Sequence, residues 1–204
     1  MNTLLVGVCG GTGSGKSTLV NRIKKELADE VAVINMDSFY KEQPGTTYEE
    51  RTKTNYDDPS SFDVDIMLSC IKDLKNGHET YIPVYDFSIH NRSDEPWVRV
   101  DNKRIIILDG ILMFAIPEVF DQLDYRIFVD CDSDIRILRR ILRDNKERGR
   151  SVQSVVDQYL TTVKPMHERY IEPYRNSADI IVARGGFNEK ALELIVSALK
   201  YKIM

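Results

Sequence analysis

Eight consecutive residues, Gly10-Gly11-Thr12-Gly13-Ser14-Gly15-Lys16-Ser17, spell G-x-x-x-x-G-K-[ST] and constrain the architecture around them. The motif works only between a strand and a helix, and its flanks supply both. The apolar run Leu4-Leu5-Val6-Gly7-Val8-Cys9 before it reads as a buried strand, and Leu19, Val20, Ile23 and Leu27 after it recur at helical spacing. Four glycines let successive backbone N–H groups turn inward on a phosphate, and the helix N-terminus adds partial positive charge. In that geometry the residues from Gly10 to Thr18 form an ATP site. Lys16 bridges the outer phosphates and the Ser17 hydroxyl ligates Mg²⁺. The sequence therefore predicts binding of a nucleoside triphosphate.

Apolar runs at Thr3–Cys9, Val31–Met36, Arg104–Leu108, Tyr125–Val129 and Asp179–Ala183 are strand candidates. Several are continuous in Val, Ile and Leu, as expected of parallel strands covered on both faces. Helical patterns separate them at Lys16–Ala28, Ser61–Leu74, Ser133–Glu147, Val152–Tyr170 and Glu189–Lys202. The expected fold is α/β, a P-loop NTPase-type three-layer arrangement with a five-stranded parallel sheet. Thr80–Phe87 and Trp97–Asp101 break the alternation and read as a β-hairpin inserted over residues 80–101, around the polar loop Ser88–Pro96. No linker or repeat divides the 204 residues, so residues 1–204 are expected to form a single domain.

The chain is 42% hydrophobic, enough for one sizeable core, and its net charge of −4 offers no general basic surface for nucleic acid. Cys9, Cys70 and Cys131 are odd in number and form no C-x-x-C pair, which points to a reduced, cytoplasmic location with no disulfide framework and no zinc site. The first strand begins almost at Met1, leaving no room for a signal peptide, and no apolar run approaches the ~20 residues of a membrane helix.

Ligands of open parallel sheets lie outside the carboxyl ends of the strands, where two carboxylates fall. Asp109 follows Arg104–Leu108 and is placed to hold Mg²⁺, directly or through water. Asp37 follows Val31–Met36 and is placed to accept a proton from an attacking hydroxyl. Either could instead cap a turn. A third constellation is rich in arginine: Arg136, Arg139, Arg140 and Arg143 share one arc of the Ser133–Glu147 helix, with Ile137, Leu138, Ile141 and Leu142 opposite. Arg148 and Arg150 follow, flanking Gly149. Against the alternative of a solvated face, the choice of Arg over Lys and the hinge-like glycine favour a mobile lid over residues 133–158. An Asn-Lys-x-Asp guanine reader and a Leu-Ser-Gly-Gly-Gln transporter signature are both absent from the sequence. These pieces define a phosphotransferase or an NTPase without naming an acceptor.

Further segments resemble the uridine–cytidine kinase family. They are Asp37-Ser38-Phe39-Tyr40-Lys41, Asn55-Tyr56-Asp57-Asp58-Pro59, Pro83-Val84-Tyr85-Asp86-Phe87-Ser88-Ile89-His90-Asn91-Arg92, Arg139-Arg140-Ile141-Leu142-Arg143-Asp144, Glu147-Arg148-Gly149-Arg150 and Gln158-Tyr159. The resemblance runs from the first strand to about Arg184 and keeps the family's order. It implies that Asp37 is the general base toward a nucleoside 5′-hydroxyl and that Asp57 accepts hydrogen bonds from the ribose hydroxyls. It implies that Tyr85 and His90 contact the base edge, with Phe87 and Ile111 as apolar neighbours of the ring. Arg140, Arg143, Arg148, Arg150 and Gln158 then belong to the lid and acceptor pocket, with Lys16, Arg143 and Arg148 serving catalysis. Asp109 stands where the family commonly has Glu, Asp58 where His is frequent, and Phe187 where a polar residue is usual.

The resemblance thus implies a pyrimidine ribonucleoside kinase that takes ATP with Mg²⁺ and a small-molecule nucleoside, with no nucleic-acid or membrane partner, in a homotetramer. The alternatives are another small-molecule kinase, for a different riboside or a sugar phosphate, and a non-catalytic nucleotide-dependent switch. A sugar-phosphate acceptor would leave the Tyr85, Phe87 and His90 pocket without a purpose, and a switch would leave Asp37 without one.

Overall fold

The computed structural model describes residues 3–204. Along the chain run β1 (Leu4–Cys9), α1 (Lys16–Leu27), β2 (Val31–Asn35), α2 (Tyr48–Arg51), α3 (Val64–Lys75), β3 (Thr80–Ile82), β4 (Tyr85–Asp86), β5 (Asn91–Arg92), β6 (Val98–Val100) and β7 (Ile105–Asp109). There follow α4 (Pro117–Phe120), β8 (Tyr125–Val129), α5 (Ser133–Arg148), α6 (Val152–Gln158), α7 (Lys164–Tyr170), β9 (Ile180–Val182) and α8 (Glu189–Ile203). Five strands form one parallel sheet in the order β2-β7-β1-β8-β9. The order reverses at β1, so the crevice at its carboxyl end opens beside the loop that follows it.

The continuous apolar runs have the expected cause. Ile105, Ile106, Ile107 and Leu108 are all fully buried because both faces of the sheet are covered. Val6, Val8, Ile105 and Ile107 pack under Leu19 and Ile23 of α1 and Ile195 and Leu199 of α8. Leu5, Ile106, Leu108 and Phe128 face the other way, toward Phe39, Phe62 and the Met67, Ile71 and Leu74 stripe of α3. Each such side chain contributes roughly 1.5–3 kcal/mol on burial, so this layer fixes the strand ends that carry the site.

Four expectations change in detail. The inserted segment is two nested antiparallel ribbons, β3 with β6 and β4 with β5, so the expected loop Ser88–Pro96 contains a strand. Pro83 lies between β3 and β4, and its missing N–H breaks one ladder into two. The helix expected from Ser61 starts at Val64, because the Asp63 side chain accepts from the Ile66 N–H as its cap. The helix expected over Val152–Tyr170 widens into a π-turn at Tyr159–Val163, just before Pro165, whose ring cannot follow an α-helical carbonyl four residues back. In α5 the polarity is inverted: Arg136, Arg140 and Asp144 are buried, while Leu138 and Leu142 are 56% and 72% exposed. The arginine arc faces the body of the protein. Among the described residues, no helix is long and apolar enough to cross a membrane.

Candidate active site

The loop between β1 and α1 has the shape of a phosphate cradle. Gly13 and Gly15 hold φ of +76° and +96°, a region open to glycine at little cost, and a Cβ on Gly15 would sit 2.7 Å from the Gly186 nitrogen. The Ser14 N–H donates to the Gly11 carbonyl at 3.0 Å, and the Leu19 N–H donates to Gly15 at 3.0 Å. Lys16 opens α1 and is buried. The next hydroxyl, Ser17 Oγ, donates to Asp109 Oδ2 at 2.7 Å. Behind Gly11, Arg136 Nη2 and Glu172 Oε2 each lie 3.2 Å from His167 Nε2. Burial first, and the Arg136 cation next, hold that imidazole below its usual pKa. Neither residue stands out as a prop for the loop in the sequence, because the contact joins distant helices.

Asp37 sits on a 3₁₀ turn, Met36–Phe39, at the end of β2, where its N–H donates to Asn35 Oδ1 at 3.0 Å. Burial pushes its carboxyl above the ordinary aspartate value; Lys16 opposes the shift, and Asp109 and Asp57 reinforce it. The Asp57 carboxyl is raised by burial as well, against the pull of Arg140 and Lys16. Asp37 thus feels Lys16, Asp57 and Asp109 at once, although the four come from separate segments. Among the described residues there is no group of three or more His, Cys, Asp or Glu fit to hold a metal ion. The Ser17 and Asp109 oxygens suit a hard cation whose other ligands are phosphate and water.

The ribbons build an aromatic wall beside these carboxylates. The rings of Tyr85 and Phe87 meet edge to face at 5.2 Å, and Tyr40 lies 5.0 Å from Tyr85. Tyr85 is buried, yet its hydroxyl has no hydrogen-bond partner. Phe87 is half-exposed at the rim. His90 adopts φ +51°, costly for a non-glycine residue, and Tyr56 over-determines it: the rings stack at 5.9 Å and the Tyr56 hydroxyl lies 3.1 Å from the His90 carbonyl. Burial, then Arg150, Arg51 and Arg148, keep the His90 pKa low. Ile111 packs on the core beyond β7, and its carbonyl accepts the Cys9 thiol proton at 3.1 Å.

Two of the arginines converge on Gln158. Arg140 Nη2 and Arg150 Nη1 donate to the same oxygen, Gln158 Oε1, at 2.9 and 2.6 Å. Arg148 stands over the Phe87 ring, 5.2 Å from its centroid, joining the end of α5 to the aromatic wall. Arg143 turns both Nε and Nη2 onto Asp144 Oδ1, at 2.9 and 2.8 Å.

Residues 5–191 match the Phosphoribulokinase / Uridine kinase family. The chain belongs to that family. A uridine kinase of Clostridium novyi is 49% identical over 201 residues, covering 98% of this chain and 96% of the relative. One from Staphylococcus haemolyticus is 46% identical over 200 residues, again with 98% and 96% covered. Among solved structures, phosphoribulokinase from Rhodobacter spheroides superposes with a TM-score of 0.57 at 14% identity, over 83% of this chain and 68% of that one. D-glycerate 3-kinase from Cryptococcus neoformans gives 0.57 at 17% identity, over 83% and 79%. These structures share the fold, so within the Phosphoribulokinase / Uridine kinase family the acceptor must be argued from the aromatic wall.

Proposed function

We propose that the protein transfers the γ-phosphoryl group of ATP to the 5′-hydroxyl of uridine or cytidine, giving ADP and UMP or CMP, with residues 1–204 acting as one kinase domain. The observation that carries this reading is the aromatic pocket of Tyr85, Phe87 and His90, set beside Asp37 and Asp57. A flat ring fits that wall, and the buried Tyr85 hydroxyl has no partner within the protein. A sugar-phosphate acceptor would use neither.

Asp57 accepts hydrogen bonds from the vicinal ribose hydroxyls, which a deoxyribose cannot supply in full. Asp37 takes the 5′-hydroxyl proton as that oxygen forms its bond to the γ-phosphorus and the bond from phosphorus to the β-bridging oxygen breaks, releasing ADP. A partly buried base with a raised pKa is better matched to an alcohol proton, and Lys16 opposes part of that rise. The loop N–H groups and Lys16 hold the phosphates, while Arg143 and Arg148 meet the charge that spreads over the transferred group. Arg140, Arg150 and Gln158 close over the acceptor, and the closed lid excludes water. Ser17 and Asp109 would hold Mg²⁺, which neutralises phosphate charge when bound. A cytoplasmic location and a homotetramer accompany this reading, the first from the three unpaired cysteines and the second from family resemblance alone.

ADP release with Mg-ATP is measured alone and with uridine, cytidine, thymidine or ribulose 5-phosphate. Release that needs uridine or cytidine is the expected result. Release with ribulose 5-phosphate instead, or equal release without any acceptor, overturns the assignment.

A further inference from the structure

Asp144 has no role in the reading above, yet four lid arginines surround it. Its carboxylate lies 3.5 Å from Arg140 Nε, 2.8 Å from Arg143 Nη2, 3.9 Å from Arg148 Nη1 and 3.7 Å from Arg150 Nη1. The side chain is wholly buried, whereas Arg143 and Arg148 reach solvent at 36% and 41%. One carboxylate is thus enclosed by cations, of which Arg148 also stands over Phe87 and Arg140 also acts on Asp57. Four guanidinium groups this close repel one another, and a single enclosed negative charge offsets part of that repulsion. The geometry is also directional. Arg140, Asp144 and Arg148 are spaced four residues apart on one face of α5, and Arg150 folds back across the αL residue Gly149 to reach the same carboxylate. Arg143 commits two N–H groups to Oδ1. Oδ2 and Arg140 Nε, facing each other at 3.5 Å, have no hydrogen-bond partner, and the Arg148 and Arg150 contacts are longer still, so Arg143 alone is held tightly.

We propose that Asp144 is the positioning residue of the lid: its buried carboxylate aims Arg143 and Arg148 at the transferred phosphoryl group and Arg140 and Arg150 at the acceptor. This rests on the kinase reading. Orientation and charge then pull apart on substitution. Without the negative charge, the lid carries one more net positive charge and holds a polyphosphate more tightly, while the arginines lose the directions that serve the transition state.

The test compares wild type, Asp144→Asn and Asp144→Glu in two assays, binding of Mg²⁺ with the β,γ-imido analogue of ATP and turnover with uridine. For Asp144→Asn, analogue binding should tighten at least about threefold while kcat falls at least about tenfold. Asp144→Glu keeps the charge one methylene out of place, so its analogue affinity should match wild type while kcat still falls. A merely structural role would weaken binding and turnover together, and that result for either variant, or unchanged kcat in both, overturns the proposal. If Asp144→Asn shows no cooperative melting, the Asp144→Glu pair of readings decides alone. A wild type without turnover on uridine or cytidine would refute the kinase reading, and the analogue affinities would still judge Asp144.

Discussion

Ser17 and Asp109 stand 92 residues apart in the chain and are joined by a 2.7 Å hydrogen bond, hydroxyl to carboxylate. Parallel register makes the pair: Asp109 lies beside Val8 in the sheet, and β1 leads straight into the loop that delivers Ser17. The two oxygens close the gap between the phosphate loop and the end of β7. If they hold Mg²⁺, Asp109→Asn should raise the Mg²⁺ concentration for half-maximal activity about tenfold or more, with little change in melting temperature. An unchanged Mg²⁺ midpoint would remove Asp109 from the metal site. Removing the cation with EDTA should abolish turnover of the wild type.

Asp37→Asn should lower kcat by about 10²–10⁴, the usual worth of a positioned base. It should also stabilise the protein. Burial raises the Asp37 pKa, so at neutral pH the folded state carries an unfavourable charge that asparagine lacks. The gain should shrink as pH falls through the raised pKa and be gone below 3.8, where the wild-type carboxyl is neutral in both states. Melting curves at neutral and acid pH check this; a variant no more stable than wild type contradicts the buried-charge account.

The acid limb of kcat/KM should have its midpoint above 3.8, the ordinary aspartate value, because the base in the free enzyme is harder to ionise. Stability follows a different window. The pKa values of His90 and His167 are lowered from 6.5 in the folded state, so on acidification the unfolded chain takes up protons first. Their contribution is complete above 6.5 and is lost as pH falls below it. Denaturant titrations through that range, with His167→Gln as the comparison, should show a shallower acid loss in the variant.

Tyr85→Phe removes a buried hydroxyl that has no partner in the free protein, so stability should be unchanged or slightly higher. If the hydroxyl meets a base edge, KM for uridine should rise about tenfold with kcat nearly unchanged. Steady-state kinetics at saturating ATP separates the two parameters. Equal KM values would leave Tyr85 as wall and nothing more.

Gly15→Ala should be damaging out of proportion to one methyl group. The residue holds φ +96°, and the added Cβ would press on the Gly186 backbone at 2.7 Å. A loss of about 1–3 kcal/mol and of detectable ATP binding is expected. Calorimetric titration with ATP reads the second effect, and wild-type affinity would show that the loop relaxes without cost.

The phosphate loop was legible because its chemistry is local: Lys16 and Ser17 follow the glycines directly, and the flanking apolar periods are those of a buried strand and a helix. The place of Asp37 just after β2 was legible for a related reason, since a strand end can be read from a few residues. The contacts of Tyr56 with His90 and of Arg136 with His167 were not, because each joins segments that only the finished fold brings together. Asp144 left a partial trace as the i,i+4 partner of Arg140, but an exposed surface pair and the buried centre of four arginines look alike in one dimension.

Periodicity and short motifs, written in neighbouring residues, were enough for the α/β layering, the parallel sheet, the phosphate loop and the family. Tertiary structure alone decided that the arginine face of α5 turns inward, that the insertion closes as two ribbons, and that Ser17 meets Asp109. Those outcomes depend on the register of distant strands and on which of two possible faces a helix buries. A pattern that is amphipathic in both directions cannot specify that choice until the rest of the chain has supplied the carboxylates and aromatic rings for the arginines to meet.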